Sequence, residues 1–95
     1  MTDKINAETM QVAYNENYQT FLAKNADYGN SFEKSLNDLG IVAGIVRIGD
    51  KYNRVCNLIK NKQNVSESLS DTLNDMANYC VMLAVWLEVK DDTKI

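Results

Sequence analysis

The segment "ESLSDTLNDMANYCVMLAVWL", Glu67 to Leu87, decides the fold. Within it Leu69, Leu73, Met76, Cys80, Leu83 and Leu87 alternate spacings of four and three, the period of an α-helix. A second pattern runs beside the first. Glu67, Asp71 and Asp75 recur every four residues, with Asn74 and Asn78 among them. At about 100° per residue, Glu67, Asp71, Asn74 and Asn78 fall within about 60° of one another, and Asp75 lies at the edge of that face. Beyond Asn78 the polar line is continued by Val81, Met82 and Val85, which are apolar. The spacing predicts one helix from about Ser66 to Lys90, roughly 37 Å long at about 1.5 Å per residue. It is polar along one face at its start and hydrophobic nearly all round at its end. A helix of that kind is buried on most sides. A chain of 95 residues has few helices with which to cover it, so a second subunit is expected against Val81, Val85 and Trp86.

Working back towards the N-terminus, "NKQNV" reads as a polar turn. Before it, Ile41, Ile45, Ile48, Tyr52, Val55 and Ile59 make an apolar stripe on a helix of about Ile41 to Asn61. Gly40 can end a short preceding helix, about Ser31 to Leu39, which presents Phe32, Leu36 and Leu39. "NADYGNS" breaks the pattern ahead of it, with Asn30 and Glu33 spaced for a capping box. A first helix covers about Ala7 to Asn25, with Met10, Tyr14, Tyr18, Phe21 and Leu22 on its apolar face. No segment reads as a strand. The expected fold is one all-α domain over residues 1–95, a four-helix bundle with antiparallel neighbours, assembled as a homo-oligomer.

Composition narrows the function. The chain is 45% hydrophobic and 24% charged, with a net charge of −3, which argues against a general nucleic-acid or anionic-membrane binder. No apolar run is long enough for a membrane span, and "MTDKINAETM" has no signal-peptide core. Cys56 and Cys80 fall at apolar helical positions and read as buried free thiols. Histidine is absent, which removes the commonest general base and the commonest zinc ligand. Chemistry would rest on carboxylates, hydroxyls, amines or a metal held by oxygen.

Three stretches could supply it. Glu67, Asp71 and Asp75 enclosed together would repel one another, and a divalent cation such as Mg²⁺ would relieve that repulsion. The alternative is a solvated face whose acids favour the helix N-terminus, with Asn64–Glu67 or Ser68–Asp71 as capping boxes. "RIGDKYNR" sets Arg47, Asp50, Lys51 and Arg54 opposite the apolar stripe of its helix. They are either surface, with an Asp50–Arg54 pair at i, i+4, or one metal carboxylate and several phosphate-binding cations. "KNADYGNSF" offers Lys24, Asp27, Tyr28 and Asn30, either as a simple turn or as the lining of a nucleotide pocket with Tyr28 stacked on a base.

In this order and spacing, "KNADYGNSF", "RIGDKYNR" and "ESLSDTLNDMANY" resemble the nucleotide modification associated domain 1 family over about Lys24 to Tyr79. That family is common in bacteriophages and is similar to the MazG-like and dimeric dUTPase enzymes, all-α nucleoside triphosphate pyrophosphatases. The resemblance implies a Mg²⁺-dependent protein, a homodimer or homotetramer, that cleaves (d)NTPs or modified nucleotides to monophosphate and pyrophosphate in a host cytoplasm. It implies Asp50, Glu67, Asp71 and Asp75 on the metal, with Glu67 and Asp71 catalytic and Glu67 orienting water. It implies Lys24, Arg47, Lys51 and Arg54 on phosphates, and Asp27, Tyr28 and Asn78 on base or sugar. The sequence departs from the pyrophosphatase pattern of Glu-Glu-x-x-Glu and Glu-x-x-Asp. Only Asp50 is acidic in the first block, and Glu67 and Asp71 are four apart. A nucleotide-binding accessory without hydrolysis and a helical interaction module are the alternatives.

Overall fold

A computed structural model of the chain describes the backbone of residues 3–61 and 65–93, and the side chains of these except 65–68 and 90–93. It contains four helices and, among the described residues, no strand: α1 (Ala7–Lys24), α2 (Gly29–Leu39), α3 (Ile41–Asn61) and α4 (Val65–Thr93). Asn6 starts α1 with a reciprocal capping box. Its side chain accepts from the Thr9 amide at 3.0 Å, and the Thr9 hydroxyl accepts from the Asn6 amide at 3.0 Å. The Asn30–Glu33 capping box does not form. Helix α2 begins earlier, at Gly29, and its N-cap Tyr28 makes no side-chain cap bond, because the Tyr28 side chain is directed to α4 instead. Gly40 ends α2 with φ +82°, a conformation that side-chain-bearing residues rarely adopt, and its amide donates to the Leu36 carbonyl at 2.7 Å. The Asn64–Glu67 capping spacing lies outside the described residues, as does the Glu67 side chain.

The main packing is α3 against α4, with α2 on α3. The pair is antiparallel and in close register: Gly44 lies against Leu83, Arg47 against Tyr79 and Lys51 against Asp75. Gly44 is buried, and a Cβ there would stand 2.9 Å from a Leu83 methyl and 3.1 Å from one of Leu36. That small residue lets three helices meet. The core is small: Tyr28, Phe32, Leu36, Tyr79 and Leu83 form it, and of these Phe32 and Leu36 are only 1% exposed.

Several expected apolar stripes lie elsewhere. On α4 the inward line is Thr72, Tyr79 and Leu83, whereas Leu73 and Cys80 are exposed. The reason is Tyr79, whose ring takes edge contacts from Tyr28 and Phe32, each with centroids 4.9 Å apart, and so sets the rotation of the helix. On α3 Val55 is buried and Ile48 packs on the core, but Ile41, Ile45, Tyr52 and Ile59 are exposed. Leu39 of α2 is 73% exposed rather than buried. Helix α1 buries no residue, although Phe21 rests against the core. Cys56 is half-buried and Cys80 exposed, and both are free thiols. No helix among the described residues is long and apolar enough to cross a membrane.

Candidate functional site

A polar cleft of about 910 Å³ opens between α1, α3 and α4. Seven of the residues singled out in the sequence line it: Lys24, Tyr28, Lys51, Arg54, Asp71, Asp75 and Asn78. They come from three helices and the α1–α2 turn, so only folding brings them together. The α3–α4 register does much of this. Lys51 is level with Asp75, and Arg54, one turn further on, is level with Asp71 and Thr72. Helix α1 adds the wall opposite with Asn17, Thr20 and Lys24, which its helical period places on one side.

At the centre of the cleft Asp75 has two partners. Lys51 Nζ lies 2.8 Å from one carboxylate oxygen, and the Tyr28 hydroxyl donates to the other at 2.5 Å. Burial alone would push the Asp75 carboxyl up. The hydrogen bonds from Lys51 and Tyr28, with the charges of Lys51 and Lys24, outweigh it and hold the group below the usual carboxylate value. The Tyr28 hydroxyl is displaced the other way, above the ordinary phenol range, by burial first and by its bond to Asp75 second. Tyr28 is 7% exposed and its ring is edge-on to Tyr79. Stacking on a base would require that ring to leave this packing.

Of the remaining sequence candidates, Arg47, Asp27 and Asp50 stand outside the cleft lining, and the Glu67 side chain lies outside the described residues. Arg47 donates to the Tyr79 hydroxyl at 3.2 Å, with its guanidinium carbon 5.4 Å from the ring centroid. It holds α3 to α4 rather than reaching into the cleft. Asp27 is exposed in the turn after α1. Asp50 is exposed, and the α3–α4 register sets it level with Met76. That is nine residues, or about 13 Å at about 1.5 Å per residue, from the level of Glu67. Among the described residues the ion pairs are Lys34–Asp38 and Lys51–Asp75; Asp50 and Arg54 do not pair.

Sequence reasoning missed Asn17 and Thr72, and gave Asn74 a place on the polar face of α4 but no role in the site. Asn17 Nδ2 donates to Asn74 Oδ1 at 3.4 Å, and Asn78 Nδ2 donates to the Asn17 carbonyl at 3.3 Å. These amides join α1 to α4 along the cleft floor. Asn74 was visible as part of the polar face of α4. Asn17 carried no signal, since a single asparagine on an amphipathic helix is ordinary surface.

The described residues offer no group of three or more carboxylates, cysteines or histidines placed to hold a metal. Two carboxylates, Asp71 and Asp75, do line the cleft with Lys24, Lys51 and Arg54. Hard oxygen donors of that kind fit the way Mg²⁺ is commonly held, by one or two carboxylates together with substrate phosphates.

The fold and site thus define an all-α protein with a mixed-charge cleft between helices. The chain belongs to the nucleotide modification associated domain 1 family, whose profile matches residues 24–87. That description ties it to nucleotide modification. The match takes in α2, α3 and most of α4, and reaches only the last residue of α1. No curated protein and no solved structure matches the chain significantly.

Proposed function

We propose that the chain is a Mg²⁺-dependent nucleotide-binding protein of the MazG-like kind that hydrolyses (d)NTPs or modified nucleotides to monophosphate and pyrophosphate. The observation that carries this reading is the cleft of a nucleotide-modification family member in which Lys24, Lys51 and Arg54 face Asp71 and Asp75. Arg54 and Lys24 hold phosphate oxygens, Arg54 through its planar fork. Asp75 positions Lys51 and Tyr28 and keeps the Lys51 ammonium directed into the cleft. Asp71 has no such partner among the described residues and, with Glu67 four residues earlier on α4, would hold Mg²⁺. Bound there, the ion would offset phosphate charge and acidify water. Glu67 orients the attacking water and accepts its proton. The new bond forms at the α-phosphorus, the α–β bridging bond breaks, and pyrophosphate leaves. Asn78, with Asn17 and Asn74 beside it, offers amide donors and acceptors to base or sugar.

One observation favours a second reading, a nucleotide-binding accessory without hydrolysis. Asp75 is already engaged by Lys51 and Tyr28, and Asp50 stands apart, so few carboxylates remain for a metal. Product analysis separates the two. Each canonical and modified dNTP is incubated with the protein and Mg²⁺ and the nucleotides are resolved. Monophosphate with pyrophosphate supports hydrolysis. Intact triphosphate with a thermal shift supports the accessory. Neither product nor shift, for any nucleotide, would remove both.

A further inference from the structure

The face of α4 that lines the polar cleft continues beyond it. Asp71, Asn78 and Val85 stand seven residues apart, and at about 100° per residue each is turned only about 20° from the one before. They form one line along the helix, in steps of about 10 Å. Asp71 and Asn78 line the cleft, whereas Asn78 and Val85 line an apolar groove of about 700 Å³ between α1, α2 and α4. Helix α1 borders both spaces. Its Asn17, Thr20 and Lys24 line the cleft, and its Tyr14, Asn17, Tyr18 and Phe21 line the groove. Cleft and groove therefore meet at Asn17 and Asn78, where the Asn78 amide donates to the Asn17 carbonyl at 3.3 Å.

The two spaces have opposite chemistry. The cleft carries Lys24, Lys51 and Arg54. The groove lining has no lysine or arginine among the described residues, and Glu33 is its one charged side chain there. Phosphates are drawn to the first and kept out of the second. A base needs the reverse, an uncharged wall and an open aromatic face on which to stack. Tyr28 in the cleft offers no such face, since it is 7% exposed and packed on Tyr79. Tyr18 in the groove is 57% exposed. We propose that the groove takes the base of the nucleotide whose phosphates lie in the cleft, with Tyr18 as the stacking face and the sugar crossing at Asn17 and Asn78. This assignment rests on the nucleotide reading above.

The extent of the groove names the class of base. Its volume falls in the ~300–1,000 Å³ range of pockets that hold drug-sized ligands, well beyond what one unmodified pyrimidine ring fills. The surplus lies along α4 past Asn78, where Val81 and Val85 are 61% and 52% exposed. Trp86 stands beside them, its indole N–H donating to the Asn37 side chain at 2.9 Å. An uncharged substituent on the base gains by leaving water for this wall. A charged one loses its hydration and meets no opposite charge other than Glu33 can supply. The preferred substrate is therefore a nucleotide whose base carries a bulky, uncharged substituent, directed along α4 towards Val85.

The test uses the full chain with Tyr18→Ala at the stacking face and Val85→Trp, which fills the groove from α4. Circular dichroism reports folding; if Tyr18→Ala loses its helical signal, Tyr18→Leu makes the same test. Calorimetric titration in Mg²⁺ uses three probes: inorganic tripolyphosphate, an unmodified pyrimidine dNTP, and that dNTP with a bulky uncharged group on its base. The wild type is expected to bind all three, the substituted dNTP most tightly. Its one tryptophan, Trp86, lines the groove, so its emission should shift with either dNTP and not with tripolyphosphate. Tyr18→Ala is expected to bind tripolyphosphate as the wild type does and both dNTPs at least tenfold more weakly. Val85→Trp is expected to keep its affinity for the unmodified dNTP and to lose the preference for the substituted one. Equal dNTP affinity in the wild type and Tyr18→Ala overturns the base site and leaves the nucleotide reading standing. A wild type without the preference, or a Val85→Trp protein that retains it, overturns the substrate class. A wild type that binds neither dNTP nor tripolyphosphate removes the nucleotide reading and the base site with it.

Discussion

Replacing Asp75 by Asn removes one charge and leaves the shape almost unchanged, so it isolates what the carboxylate does. Two interactions depend on it, the Lys51 ammonium at 2.8 Å and the Tyr28 hydroxyl at 2.5 Å. A hydrogen bond to a charged group contributes ~1.5–3 kcal/mol when well enclosed. Here the Lys51 and Asp75 side chains are 26% and 31% exposed, and solvent screening lowers the figure. An amide retains part of the bond to Tyr28. The expected loss is about 1–2 kcal/mol. For a domain of this size about 1 kcal/mol moves the melting temperature by ~4–8 °C, so thermal or urea unfolding at neutral pH resolves it. The pH dependence fixes the cause. The Asp75 carboxyl is lowered in the folded chain, so its stabilisation is complete above the unfolded value of about 3.9 and is lost as pH falls through the folded value. The gap between wild type and Asp75→Asn therefore closes in acid, below about pH 4. An Asp75→Asn protein as stable as the wild type at pH 7 would refute the Lys51–Asp75–Tyr28 arrangement, and a gap that does not narrow as the pH falls would refute its electrostatic origin.

Other outcomes follow from the same geometry. Asp71 is exposed and makes no ion pair among the described residues, so Asp71→Asn leaves the unfolding midpoint of the metal-free protein unchanged or slightly raised while Mg²⁺-dependent dNTP binding is lost; unfolding of that variant in urea would make Asp71 a structural residue. Leu36 is 1% exposed, and Leu36→Ala is expected to destabilise by ~2–5 kcal/mol in denaturant titrations, a smaller loss meaning that the α2–α3–α4 junction is not the centre of the core. The Tyr28 hydroxyl ionises less readily when folded, so its contribution is complete below the unfolded value of about 10 and is lost as pH rises through the folded value. The stability advantage of wild type over Tyr28→Phe therefore narrows in alkali, and alkaline unfolding curves with a constant gap would contradict that.

Helix number, the bounds of α3 and the starts of the others were legible to within a few residues, because a 3-4 spacing is a property of the sequence itself. The rotation of each helix was not. On α4 the leucine spacing points to Leu73 and Cys80, but Tyr79, flanked by Tyr28 and Phe32, takes the interior. Nothing local to α4 says that two aromatic rings arrive from residues 28 and 32. The site was readable as a set of residue types and much less as contacts. Lys51 and Asp75 are 24 residues apart, and their pairing depends on the antiparallel register of α3 and α4. The same register separates Asp50 from Glu67, which the polar faces taken one helix at a time cannot show. Arg47 looked like a phosphate ligand because arginine suits that task; its place beside Tyr79 is a tertiary fact.

Arg54 gives the most direct test of nucleotide binding in the α1–α3–α4 cleft. It lines that cleft, is exposed, and takes part in neither ion pair among the described residues, so Arg54→Ala should fold as the wild type does. Calorimetric titration of both proteins with each dNTP in Mg²⁺ should give saturable binding to the wild type. Binding to Arg54→Ala should be weaker by at least tenfold, or about 1.4 kcal/mol. Equal affinity in the two proteins, or no binding by the wild type to any nucleotide, would contradict it.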